Sequence, residues 1–183
     1  LVGEGDVVIV DKLVHACLVD AARLSGAKLR VFKHNDLADL ERLLKWTGEF
    51  GGNTLIITES VFSMDGDIAP LGDMVKLKER YGAWLMLDEA HATGLYGKGR
   101  CGIAEEFEVA EQVEVQMGTL GKALGAAGGF ICGSQALVDL LINRARSFIY
   151  STASVPAQAA AAGRAIELVQ SVEGEMLQTR LWA

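Results

Sequence analysis

Cysteine, proline and long apolar runs are all scarce in this chain. Among its 183 residues the three cysteines, Cys17, Cys101 and Cys132, are odd in number, widely spaced and free of any C-x-x-C pairing. That argues against a disulfide framework and a zinc ribbon, and no metal site is expected. Each thiol is expected to be a small buried side chain in a reducing, cytoplasmic compartment. The longest uncharged stretches, 123–138 and 147–163, are broken by Gly, Ser, Gln or Pro. They fall short of the roughly 20 apolar residues of a membrane span. No signal peptide is expected, since Leu1 to Asp6 already carries two acids and two glycines. A basic block is missing too. The formal net charge is −7, so a nucleic-acid surface is not expected.

What remains is an ordinary globular balance, 50% apolar and 22% charged, enough for one domain with a substantial core. Short apolar runs alternate with helical patterns, the signature of α/β architecture. VVIV at 7–10, TLIIT at 54–58, WLMLD at 84–88 and VEVQM at 113–117 read as strands, with LRVF at 29–32 and GGFIC at 128–132 as further ones. The first three are nearly continuous in apolar character, as expected of parallel strands covered on both faces. Asp36, Pro70, Ser134 and Pro156 open helical stretches, the first with Leu37, Leu40, Leu43 and Leu44 on one face. No repeat or linker divides the chain, so a single doubly wound sheet with helices on both faces is expected.

In such sheets ligands bind beyond the carboxyl ends of the strands. Three strand ends there are rich in polar residues: TESVFSMDGD at 58–67, LDEAH at 87–91 and MGTLGKALG at 117–125. Asp88 could cap a following helix, or hold a protonated heterocyclic nitrogen in a site shielded from water. The Asp-Glu-Ala-His string also matches the helicase magnesium box, which needs a phosphate loop GxxxxGK[ST]. Gly-Lys occurs at 97–98 and 121–122, but the required upstream glycines are Ala92 and Gln116, and neither lysine precedes Ser or Thr. The helicase reading fails. Lys122 lies in a glycine-rich turn where a partly desolvated amine becomes a nucleophile toward an aldehyde. Alone it would read as a solvated surface lysine. The order of acid at one strand end and lysine at a later one raises its weight.

The run from Asp11 and His15 through HND at 34–36, ESVFSMDGD at 59–67, DEAH at 88–91, GTLGKALG at 118–125 and YSTASVP at 150–156 resembles the α-oxoamine synthases. These are fold-type I enzymes of pyridoxal 5′-phosphate (PLP) that condense an amino acid with an acyl thioester and release carbon dioxide. TESVFSMDGD and IYSTASVPAQ most resemble the branch serving biotin synthesis, which implies L-alanine and a pimeloyl thioester, on CoA or a carrier protein. Glycine-using branches with acetyl- or succinyl-CoA stay open, as does a catalytically inactive fragment of the fold.

The resemblance implies a role for each matching residue. Lys122 matches the Schiff-base lysine and proton-transfer base, and Asp88 the partner of the pyridine nitrogen. His15 matches the ring-stacking histidine, although it also reads as an ordinary helix-start residue. Ser63 and His91 match groups near the phenolic oxygen, Ser63 doubling as a plain turn residue. Thr119 matches a phosphate ligand. Ser151 and Thr152 match a segment reaching the phosphate of a neighbouring subunit, so a homodimer with a shared active site is implied. Asn35 and Glu59 are expected to have structural or supporting roles, and His34 a structural one. Cys17 departs from the family's serine after His-Ala. The family's glycine-aromatic phosphate loop and carboxylate-binding arginine have no counterpart here, so residues 1–183 are expected to be the central part of the large domain. An upstream segment and a C-terminal small domain are expected to lie outside it, and these residues alone to be inactive or nearly so.

Overall fold

The computed structural model describes residues 1–183. Strand β1 (Val7–Asp11) leads through helix α1 (Ala16–Leu24) to β2 (Lys28–Phe32), and α2 (Leu37–Thr47) leads to β3 (Thr54–Glu59). Helix α3 (Leu71–Tyr81) precedes β4 (Trp84–Asp88), and the short α4 (Ile103–Glu106) lies in the long crossover to β5 (Val115–Thr119). A hairpin then gives β6 (Gly129–Gly133), followed by α5 (Gln135–Arg144), α6 (Arg146–Ile149), α7 (Pro156–Val169) and α8 (Val172–Trp182). The six strands form one sheet in the order β2-β1-β3-β4-β5-β6. All neighbours pair in parallel except β5 and β6.

This is the mostly parallel α/β sheet expected. β1 and β3 are buried along their whole lengths, which is why they appear as unbroken apolar runs. Right-handed crossovers put α1 on the opposite face from α2 and α3, because the order reverses at β1. One apolar cluster of 28 residues runs from Val7 to Val113 and includes Ile9, Leu40, Ile56, Met74, Leu85 and Ile103. The expected caps are present: Asp36 accepts a hydrogen bond from Asp39 N, and Ser134 from Leu137 N, each at the start of its helix. No helix is long and apolar enough to cross a membrane.

Two expectations are corrected. The fifth strand begins at Val115 rather than 113, because a 3-10 turn at Ala110–Gln112 is still closing through Val113 N. Cys17, Cys101 and Cys132 are not buried but exposed. Cys17 starts a helix at the strand ends, Cys101 lies in the loop before α4, and Cys132 lies on the outermost strand.

Candidate active site

Parallel pairing brings the last residues of β1, β3, β4 and β5, namely Asp11, Glu59, Asp88 and Thr119, to one edge of the sheet. Asp88 pairs with Glu59 on one side and Met117 on the other. Its side chain is buried, yet it forms no ion pair: Oδ1 accepts from Ala90 N at 2.8 Å, and Oδ2 has no donor within the protein. A buried carboxylate with an open oxygen at a strand end is a ready acceptor for a charged N–H.

Lys122 sits on the β5–β6 hairpin loop, which is closed by Leu120 N to Gly128 O, Ala126 N to Leu120 O and Gly125 N to Lys122 O. Its Nζ lies 2.7 Å from Nε2 of His91. Burial, Lys122 and His15 together push the His91 pKa below 6.5, against the pull of Asp88. The neutral ring therefore accepts the Lys122 N–H at Nε2 and carries its own proton on Nδ1.

His15 enters from the β1 side. Its backbone N donates to Glu59 Oε1 at 2.5 Å, and its Nδ1 caps α1 by accepting from Cys17 N at 3.3 Å. The helix-start reading of His15 is met: Nδ1 caps α1 and the residue is exposed. The Cys17 thiol lies 3.0 Å from the same nitrogen, and burial, Asp88 and Glu59 raise its pKa, so it remains a protonated donor. Burial raises the Glu59 pKa, and the Asp88 charge raises it further, against the His15 N–H.

The other expected residues are placed less tightly. The Ser63 hydroxyl is exposed on a turn and makes no hydrogen bond within the protein. Thr119 Oγ1 closes its own loop, donating to Gly128 O and accepting from Gly121 N, each at 3.2 Å. Ser151 donates to Ser147 O, and Thr152 has no side-chain partner. Both lie on the exposed segment between α6 and α7, with no hydrogen bond to the Lys122 group.

Glu89 was not foreseen. It is buried beside Asp88 and spans the N–H groups of Ile103 and Ala104 with Oε2 at 3.0 Å and Oε1 at 2.8 Å. Burial, its largest influence, raises its pKa. Gly102 makes room for it: at φ +139 a Cβ there would stand 2.5 Å from the carboxyl carbon. Glu89 thereby ties the loop after His91 back to the sheet. The only hint in the sequence is a second acid directly after Asp88.

The aminotransferase class I and II family model matches residues 1–183. An 8-amino-7-oxononanoate synthase of Geobacter sulfurreducens is 54% identical over 181 residues, 99% of this chain and 46% of the relative. One of Symbiobacterium thermophilum is 48% identical over 182 residues, again 46% of its length. The chain therefore spans under half the length of the curated relatives it matches. Among solved structures, a serine palmitoyltransferase of S. paucimobilis with a bound PLP–myriocin aldimine superposes with TM-score 0.94 at 30% identity, over all of this chain and 45% of that one. An 8-amino-7-oxononanoate synthase of Francisella tularensis gives TM-score 0.83 at 33% identity, over 99% of this chain and 51% of that one. Matched from end to end and folded as these neighbours are, the chain belongs to the aminotransferase class I and II family.

Proposed function

We propose that this chain carries the cofactor-binding part of a PLP-dependent acyltransferase that joins an amino acid to an acyl thioester with loss of carbon dioxide. The observation that carries the proposal is the contact of Lys122 Nζ with His91 Nε2, set beside the unpaired carboxylate of Asp88. The donor set fits pyridoxal phosphate: an amine for its aldehyde, an open buried acceptor for its ring N–H and a neutral imidazole for its phenolic oxygen. PLP, when bound, draws electrons from the substrate α-carbon into its pyridine ring.

The residues of this chain then divide the work. Lys122 Nζ would hold the cofactor aldehyde and would move the proton at the substrate α-carbon. Asp88 Oδ2 accepts the ring N–H and keeps that proton in place. His91, held neutral, hydrogen-bonds beside the phenolic oxygen and accepts from Lys122 Nζ. His15 covers one face of the ring and limits water there, and Ser63 offers an unengaged hydroxyl at the rim. Thr119 orients the loop around the phosphate. Ser151 and Thr152 reach the phosphate of a second subunit in a homodimer, a role supported by their exposure here. The remaining grip on phosphate and substrate carboxylate falls to parts of the full protein outside these residues.

L-Alanine and a pimeloyl thioester are the substrates we favour, because the names of the relatives near half identity describe the product of that condensation. Full-length protein mixed with PLP should gain a visible absorbance band. Borohydride reduction should leave a phosphopyridoxyl group on Lys122, and Lys122→Ala should lose both. Turnover of glycine with acetyl- or succinyl-CoA in preference to alanine with pimeloyl thioester would overturn the substrate assignment. Failure of the intact protein to take up PLP would overturn the function.

A further inference from the structure

His34 stands outside the group just described, yet its surroundings are more heavily constrained than those of any other histidine. Asp11, at the end of β1, has a side chain with no solvent exposure. Its Oδ1 accepts from Leu13 N at 2.8 Å and faces His34 Nδ1 at 2.9 Å, while Oδ2 accepts from Asn35 N at 2.9 Å. On the other side of the ring, His34 Nε2 lies 2.7 Å from Asp67 Oδ2, which also accepts from Asn35 Nδ2 at 2.7 Å. Phe62 meets the ring edge-on, with centroids 4.5 Å apart. Asn35 manages both contacts because its backbone takes φ +53, a conformation asparagine tolerates.

Both ring nitrogens therefore face carboxylate oxygens, which can only accept. A neutral imidazole has one N–H and could serve one of them; an imidazolium serves both. Burial alone would lower the His34 pKa, but the hydrogen bonds to Asp11 and Asp67 and their charges outweigh it, and the net direction is up from 6.5.

Three separate stretches meet at this ring. Asp11 begins the turn that leads to His15, which Glu59 holds by its backbone N–H. Phe62 and Asp67 bracket the Ser63 turn, closed by Phe62 N to Asp67 O at 3.0 Å and Gly66 N to Phe62 O at 2.9 Å. The third stretch carries His34 itself. Beyond the β1–β3 pairing and the Glu59 bond to His15 N, the His15 turn and the Ser63 turn are thus linked by one side chain that reaches neither residue's ring nor hydroxyl.

We propose that His34 is a positioning residue of the cofactor site, bridging Asp11 and Asp67 so that His15 and Ser63 are held at the separation a bound cofactor ring requires. The inference rests on the PLP reading above and adds a residue to it. It differs from a purely structural role in one respect: loss of the bridge should weaken cofactor binding at temperatures where the fold is intact.

The test uses full-length protein and PLP as the probe, with affinity read by absorbance titration and melting temperature read separately on the apoprotein. Uptake of PLP by the unaltered protein is established first; if it fails, the cofactor reading falls and this inference falls with it. Given uptake, His34→Gln, which can bridge only weakly, should raise the PLP dissociation constant about tenfold, the size of one charge-assisted hydrogen bond lost. Asp67→Asn should do the same while keeping the ring in place; Asp67 is 40% exposed, so this variant folds even if His34→Gln does not. The double variant should be no worse than either single one, because both break the same bridge. Lys78→Met, which breaks a distant ion pair to Glu114, is the matched control. It should lower the melting temperature with PLP affinity within about twofold of wild type. If His34→Gln or Asp67→Asn lowers melting temperature like the control and leaves PLP affinity within that same margin, His34 is structural only and the proposal is wrong.

Discussion

The two halves of this sheet are built differently. From β1 to β4 the strands, apart from the edge strand β2, contribute most of their residues to one apolar cluster. From β6 onward only Leu137 and Ala162 are buried apolar residues, while Phe148, Tyr150, Val172, Met176, Leu181 and Trp182 stand exposed. The first half holds most of the buried core. The second leaves large apolar side chains exposed. Lys122 lies on the seam between them, in the hairpin that joins β5 to β6.

The sharpest way to break the comparison is in the first half. Leu85→Ala, at a wholly buried position on β4, should cost about 2–5 kcal/mol in denaturant unfolding. Next comes Lys78, nearly buried at the end of α3, whose Nζ lies 2.5 Å from Glu114 Oε1 while Oε2 of the same acid accepts from Leu85 N. Lys78→Met should cost about 1–3 kcal/mol, less than loss of a fully buried pair because Glu114 is 37% exposed.

A smaller effect should appear as pH dependence at His34. Its folded pKa is raised, so the stabilisation is complete below its ordinary value of 6.5 and is lost as pH rises through the folded value. The stability gap between wild type and His34→Gln should therefore narrow from mildly acidic to mildly alkaline pH; a gap that widened would contradict the imidazolium assignment. The smallest effect belongs to the second half. Val172→Ser and Met176→Ser in this chain should change unfolding stability by no more than about 0.5 kcal/mol, while reducing aggregation in light scattering.

The same contrast governs what could be read in advance. β1 and β3 are legible because burial on both faces leaves an unbroken apolar run, whereas Asp88 and Lys122 gain weight only from their order and the motifs around them. β5 was displaced by two residues because its last positions, Gly118 and Thr119, carry no apolar signal while Val113 before it does. Helix α1 has little periodicity to show, since Leu18 and Ala22 are its only buried residues. The cysteines were misjudged because small residues near strand ends look alike in one dimension whether covered or open. Glu89 and the His34 bridge were out of reach for a different reason. Their meaning lies in partners 14 and 33 positions away, and a buried charge has no local signature.

The reversed direction of β6 has a consequence for traffic along the chain. Gly129 pairs with Thr119 at the lysine's edge, and Gly133 pairs with Val115 at the opposite edge. Had β6 been parallel, everything after it would have had to start from the lysine's side. Instead the backbone is delivered to the far rim and α5 carries it home, so that Ser147 and Phe148 line one cleft with Gly118 and Gly129. A single inverted strand thus works as a return loop. It brings Ser147 and Phe148 back to the rim where the β5–β6 hairpin opens, from the opposite direction along the chain.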